Sequence, residues 1–297
     1  MSDFPLFIPD GTAVEYQAPN REKAVPDTLF EPFPVRPHML LAIDISNTTI
    51  KAGLFQEEQL IDHWRIATER HKQADDYAVL MLNLFQAAKR SVSDISGVII
   101  SCVVPPLRSV YRELAEKYLM VEPVIVSPAI ETGVSLAVHN PSEVGADRIV
   151  NAYATHTLYG GPAIAIAFGT ATVFDCISAD GAYLGGAIAP GMVGALESMT
   201  RRAAQLYQVE LVAPPEPVGK NTVETMQSGL VLGYAGLVEG LVKRLKAAML
   251  SHQPSDAFKV IATGGLADVV YPETDAIDIV DQQLTLKGLR LLYNLNR

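Results

Sequence analysis

From residue 39 onward the chain alternates short, wholly apolar runs with amphipathic stretches of helical period. Met39-Leu40-Leu41-Ala42-Ile43 is an unbroken apolar run of strand length, the pattern of a strand covered on both faces. Asp44 stands where that run ends. Ser46, Asn47, Thr48 and Thr49 follow, and a second apolar segment over 50–55 returns, interrupted by Lys51. Strand, polar turn and strand predict a hairpin, and 60–66 extends it into a meander. Tyr77, Leu80, Met81, Leu84 and Phe85 put one apolar stripe on a helix over 74–90. A buried strand over 97–104 stops at Pro105-Pro106, a second amphipathic helix covers 107–118, and 124–126 is another strand. This succession predicts an α/β architecture.

Further along, Pro141 and Ser142 are suited to start a helix running through Ile149, Val150 and Tyr153. Asp147 and Arg148 would sit in its early turns, either as a surface ion pair or as working groups. The segment over 163–190 then repeats the opening. Leu40-Leu41-Ala42-Ile43-Asp44-Ile45-Ser46-Asn47-Thr48-Thr49-Ile50 aligns with Ala163-Ile164-Ala165-Ile166-Ala167-Phe168-Gly169-Thr170-Ala171-Thr172-Val173. Both read as strand, small polar turn and returning strand, so an internal duplication is expected. Two such turns facing each other across a cleft would clamp a polyphosphate from both sides. Taken singly, the first turn also reads as an ordinary hairpin end capped by Asp and Asn. The position matching Asp44 in the second copy is Ala167.

After Gly185 to Gly191, a helix is expected over 192–207. A loop marked by Pro214, Pro215 and Pro217 ends at Gly219-Lys220-Asn221-Thr222. A long helix over 223–250 carries Gly229, Gly233, Gly236 and Gly240 on one stripe. Each glycine costs a helix roughly 1 kcal/mol against alanine, so close packing against another helix is expected there, in the same chain or a second copy. A strand over 258–262 runs into Thr263-Gly264-Gly265, where paired glycines let a flat ligand approach the backbone.

Composition narrows the class. At 297 residues, with 49% hydrophobic and 19% charged residues, the chain has the makeup of a well-cored globular protein. A net charge of −10 argues against nucleic acid or an acidic membrane as a partner. Cys102 and Cys176 lie in apolar runs, as buried thiols in a reducing compartment do. No run approaches the ~18 apolar residues of a membrane span, and the start lacks a signal-peptide pattern; a cytoplasmic protein is expected. Residues 1–38 are proline-rich without period and are expected to be irregular.

Read together, these motifs resemble the type III pantothenate kinases, within the superfamily of acetate and sugar kinases, heat-shock ATPases and actin. The resemblance is carried by Asp44 to Thr48, Asn140-Pro141, Glu143, Gly145-Ala146-Asp147-Arg148, Phe168-Gly169-Thr170-Ala171-Thr172, Gly185 to Gly191, Asn221-Thr222, Met226-Gln227-Ser228-Gly229, Thr263 to Ala267, and the run from Leu284 to Leu289. It implies a duplicated ribonuclease H-like, actin-like ATPase fold with a nucleotide cleft between an N-terminal half, 39–150, and a C-terminal half, 151–297. It implies ATP-dependent phosphorylation of pantothenate by a homodimer, with Mg2+ and a monovalent cation, K+ or NH4+. Asp44, Asn47, Thr48 and Lys51 would meet the ATP phosphates, with Asp44 on the metal. Gly169, Thr170 and Thr172 would form the opposing turn, and Thr263, Gly264 and Gly265 would lie near the adenosine. Asp147 would be the base. Gly145, Ala146, Asp147 and Arg148 would line the pantothenate pocket, with Thr222 entering from the other subunit.

Three positions depart from the family pattern. Ser46 replaces a glycine and is expected to crowd a phosphate or restrict the turn to negative φ. Ala167 replaces an acid expected to help hold cations, and Val138 replaces a tyrosine of the pantothenate pocket. Two readings follow: a working kinase with an altered cation arrangement, or a non-catalytic homologue that binds nucleotide and acts as a regulator.

Overall fold

The computed structural model describes residues 38–127, 130–203, 205–252 and 258–297. The proline-rich head, apart from His38, lies outside the described residues. The body contains two five-stranded sheets of the same design. In the first, β1 (Met39–Ile45), β2 (Thr49–Gln56) and β3 (Gln59–Ala67) form an antiparallel meander, and β4 (Ile95–Cys102) and β5 (Val124–Ile125) add parallel to β1, giving the order β3-β2-β1-β4-β5. In the second, β6 (Ala163–Phe168), β7 (Ala171–Ile177) and β8 (Tyr183–Pro190) form the meander, with β9 (Lys259–Thr263) and β10 (Ile279–Val280) parallel to β6. Read outward from the meander, the two orders are identical. This is a duplicated ribonuclease H-like fold.

Each sheet buries both faces, which is why its central strands read as continuous apolar runs. Leu41, Ile43 and Ile45 of β1 join Ile50, Ala52 and Leu54 of β2 in a core with α1 (Ala74–Ala87) and α2 (Pro105–Tyr118). The opposite face sets Leu40, Ala42 and Phe55 against α3 (Ala146–Tyr159) and α8 (Leu284–Leu295). In the second sheet, Ile164, Ile166, Phe168, Phe174 and Cys176 pack toward α4 (Met192–Arg202), α5 (Thr222–Gln227) and α6 (Gly233–His252). Ala165, Ile177 and Tyr183 face back onto Ala152 of α3. The helices α3 and α8 are therefore the layer both sheets share. They cross closely: a Cβ on Gly288 would stand 2.7 Å from the Val150 carbonyl oxygen. The Thr285 hydroxyl donates to Asn151 Oδ1 at 2.8 Å in the same buried seam.

Several sequence expectations need correction. Pro141–Glu143 forms only a 3₁₀ turn, and α3 starts at Ala146 with Gly145 as its N-cap. The break sets Asp147 in the first turn of the helix rather than its second. The helix expected over 192–207 ends at Arg202, as α4. The long helix contains a π-helical segment, Ser228–Leu232, between α5 and α6. Among the described residues nothing packs on its glycines: a Cβ on Gly229, Gly233 or Gly236 would meet nothing within 4 Å, and one on Gly240 only the Arg244 side chain, which leaves a second copy of the chain as the expected partner. The two hairpins also differ by one residue. Ile45 pairs with Ile50 across the first turn, whereas Phe168 pairs with Thr172 across the second. The counterpart of Lys51 is thus Val173, its partner across from Ala167, as Lys51 is across from Asp44.

Candidate active site

The two polar turns meet. The Thr48 and Thr170 hydroxyls lie 3.1 Å apart, joining residues 122 positions distant in sequence. The first turn is braced from behind, where the Thr68 hydroxyl donates to the Ser46 carbonyl at 2.7 Å and the Thr68 amide to the Thr48 carbonyl. Arg70 Nη2 donates to Asn47 Oδ1 at 3.0 Å. Ser46 does not strain the turn: it is not among the residues with positive φ, and its hydroxyl donates to Asp44 Oδ2 at 3.2 Å. The backbone restriction expected from replacing glycine is absent because the φ at Ser46 suits any residue.

Below the turns, Asp44 is 3% exposed, and its Oδ1 has no hydrogen-bond partner. Burial pushes its pKa up to about 6, with the Asp147 carboxylate adding to the rise and Lys51 opposing it. A buried carboxylate with one oxygen free is unfavourable by itself; a cation in the cleft would relieve it. Lys51 lies opposite Asp44 on β2. Its burial holds the ammonium below its ordinary range, with Asp44 acting against this.

Asp147 owes its pose to its neighbour. A Cβ on Gly145 would stand 2.6 Å from Asp147 Oδ1, so the carboxylate folds into space that only glycine leaves open. The Arg148 amide donates to the same oxygen at 2.9 Å. Burial raises the Asp147 pKa and that amide restrains the rise, which makes the carboxylate a better proton acceptor near neutral pH. Arg148 turns to the second sheet: its Nε donates to Asp175 Oδ1 at 2.7 Å, and its guanidinium stands 5.4 Å from the Tyr183 ring centre. The Tyr183 hydroxyl donates to the same Asp175 oxygen at 3.1 Å. Burial pushes Asp175 up to about 6 against the pull of Arg148. Sequence reasoning missed Asp175 and Tyr183, although a lone acid inside the apolar run of β7 was a visible signal. Val138 packs in the apolar cluster beside Tyr183.

On the other wall, Thr263 is buried next to Ala167 in the β6–β9 register, with its hydroxyl unpartnered. Gly264 adopts φ of 100°, and a Cβ there would come within 2.4 Å of the Phe168 carbonyl oxygen, so the turn needs glycine. Gly169 donates its amide to the Ala171 carbonyl inside the second turn. Thr172 is buried on the strand face shared with Phe174, away from Val173 and Asp175. Ala146 packs against the seam with α8. Thr222, first residue of α5, is exposed.

The structure thus sets two polar turns face to face between two ribonuclease H-like halves, with a buried acid under one of them and a second acid at a helix start. Comparison with known proteins makes this specific. The family described as type III pantothenate kinase matches residues 40–244, and the chain belongs to that family. A type III pantothenate kinase of Roseiflexus sp. (strain RS-1) is 54% identical over 259 residues, covering 87% of this chain and all of the relative. One from Moorella thermoacetica is 48% identical over 258 residues with the same coverage. Among solved structures, a conserved putative Baf family transcriptional activator from Campylobacter jejuni superposes with a TM-score of 0.53 at 19% identity, over 86% of this chain and 98% of that one; this likeness concerns the fold alone.

Proposed function

We infer that this protein transfers the γ-phosphoryl group of ATP to the primary hydroxyl of pantothenate, giving 4'-phosphopantothenate and ADP. The observation that carries the reading is the buried Asp44 carboxylate, one oxygen unpartnered, behind the touching Thr48 and Thr170 turns, with the Asp147 charge acting on it. Asp147 accepts the hydroxyl proton as the oxygen bonds to the γ-phosphorus and the bond to the ADP oxygen breaks. In-line transfer of this kind depends on positioning and on neutralising charge. Asn47, Thr48, Lys51, Gly169 and Thr170 supply donors and charge around the phosphates, and Thr172 supports the second turn from its buried side. Thr263, Gly264 and Gly265 border the nucleotide's adenosine end.

The orphaned Asp44 oxygen fits a magnesium ion arriving with ATP, since magnesium is usually held by one or two carboxylates together with substrate phosphates. Such an ion neutralises the charge that develops on the transferring group. The residues do not fit the monovalent cation in the same way, because Ala167 offers no side-chain oxygen. Gly145, Ala146 and Arg148 line the pantothenate side, with Asp175 and Tyr183 holding Arg148 in place. The halves are taken as 39–150 and 151–297, with α8 returned to the first sheet. A homodimer is supported by the open glycine stripe on the Ser228–Leu232 turn and α6 and by exposed Thr222, which would serve the partner's pocket. No helix among the described residues is long and apolar enough to cross a membrane, and we read the enzyme as cytoplasmic. The test is ATP-dependent formation of phosphopantothenate, dependent on magnesium and lost in Asp147→Asn.

A further inference from the structure

Beyond the two turns, the space between the halves continues as a cavity of about 250 Å³, lined by Lys51, Arg65, Gly265, Asp268, Gln283 and Leu286. Arg65 is the least explained of these. It sits on β3 directly opposite Lys51, so Asp44, Lys51 and Arg65 form one row across three adjacent strands on the face turned to the cleft. Its side chain crosses to the other half: Arg65 Nη2 lies 3.9 Å from where a Cβ on Gly265 would stand. The nearby Asp268 carboxylate accepts a hydrogen bond from Gln282 Nε2 at 2.9 Å. Arg65 itself makes no hydrogen bond or ion pair among the described residues. Arg65 is exposed at the mouth of this cavity, and a solvent-facing guanidinium with its donor fork unfilled, beside a lysine and across from a glycine turn, suits an oxyanion.

We propose that Arg65 is a further nucleotide-binding residue, its guanidinium meeting a phosphate of the nucleotide from the β3 side while the Gly264-Gly265 turn across the cavity borders the adenosine. The proposal rests on the phosphotransferase reading and adds a specific task to it. Because Arg65 belongs to the first half and Gly265 to the second, a nucleotide lying between them fastens the halves together, and its charge is met from the β3 side as well as from the turns. Lys51 supplies a second, point-like charge in the same cavity.

The experiment is a titration of the full chain with ADP and, in parallel, with adenosine, for the wild type, Arg65→Ala and Arg65→Lys. Charge-assisted hydrogen bonds of this kind are worth about tenfold or more in affinity. Arg65→Ala is expected to bind ADP at least about tenfold more weakly and adenosine within twofold of wild type, with Arg65→Lys in between. The KM for pantothenate should stay put while that for ATP rises. Thermal stability should be unchanged, since Arg65 has no internal partner to lose. ADP affinity within twofold of wild type in Arg65→Ala would overturn the proposal. An equal loss for ADP and adenosine would overturn it too, placing Arg65 on the base instead. Failure of the wild type to bind ADP would remove the phosphotransferase reading itself, and that arm is read separately.

Discussion

The two halves have the same sheet order and the same facing turns, yet they carry opposite chemistry at matched positions. Across the first sheet, one row reads Ser101, Asp44, Lys51 and Arg65. Across the second, the corresponding row reads Thr263, Ala167, Val173 and Ile188. One half brings ionised side chains to the cleft; the other brings a backbone turn, a hydroxyl and apolar surface. Charge in the second half is displaced two residues along β7, to Asp175, where Arg148 neutralises it. The duplication therefore gives two facing turns, while the charged side chains of the matched rows lie in one copy, with Asp147 and Arg148 on α3 between them. Keeping two uncompensated carboxylate rows face to face would add like-charge repulsion to the desolvation that already raises Asp44.

The comparison breaks first at Asp147. Asp147→Asn keeps the side chain's shape and its contact with the Arg148 amide but removes the proton acceptor, so kcat should fall by about 10²–10⁴ with no loss of fold by circular dichroism. Full turnover in that variant would take Asp147 out of the chemistry. Asp44→Asn is the next sharpest probe, because it should separate function from stability. The folded protein holds the Asp44 proton more tightly than the ordinary value of 3.8. The stability from this group is therefore complete below about pH 3.8 and is lost as pH rises through about 6. Removing the charge should then raise stability at pH 7 by about 3 kcal/mol, an upper figure from the size of the shift, while magnesium-dependent turnover collapses. A destabilised Asp44→Asn in thermal melts would contradict the picture of a strained, cation-seeking carboxylate. In the wild type, proton and metal compete for this carboxylate, so the magnesium concentration needed for activity should rise as pH falls below about 6.

A smaller effect is expected in the second half. Gly264→Ala forces a Cβ against the Phe168 carbonyl at a positive φ, which should cost about 1–3 kcal/mol by chemical denaturation. Ser46→Gly should be the mildest, within about 1 kcal/mol, since it exchanges one hydroxyl contact with Asp44 for a looser turn. An Asp44-like loss of activity in Ser46→Gly would mean that the serine hydroxyl orients the carboxylate.

Much of this was legible in the sequence because the signals are local. The apolar runs of β1 and β6, the polar turns behind them, and the glycines before α7 (Ala267–Val270) each declare themselves within a few residues. The site's long-range contacts do not. Arg148 and Asp175 are 27 positions apart and meet only because α3 lies over β7. Arg70 reaches Asn47 only because the β3 exit folds back over the first turn. The one-residue shortening of the second hairpin is invisible in an ungapped alignment, and it decides that Val173 rather than Phe174 faces Lys51's role. The start of α3 was misread because Pro141-Ser142 carries a helix-start signal, which Gly145 then supersedes with the pose it permits Asp147.

The central claim is that the first half's acids suffice for transfer and that Ala167 limits its rate without touching the fold. The direct measurement is steady-state phosphopantothenate formation with magnesium and potassium for the wild type beside Ala167→Asp. The account predicts product from both, a wild-type kcat below the ~1 s⁻¹ at which ordinary kinases begin, and a several-fold gain in Ala167→Asp with melting temperatures that agree closely. A wild-type kcat at or above ~1 s⁻¹ with no gain in the variant would contradict the role given to position 167, and absence of product from both would contradict the kinase.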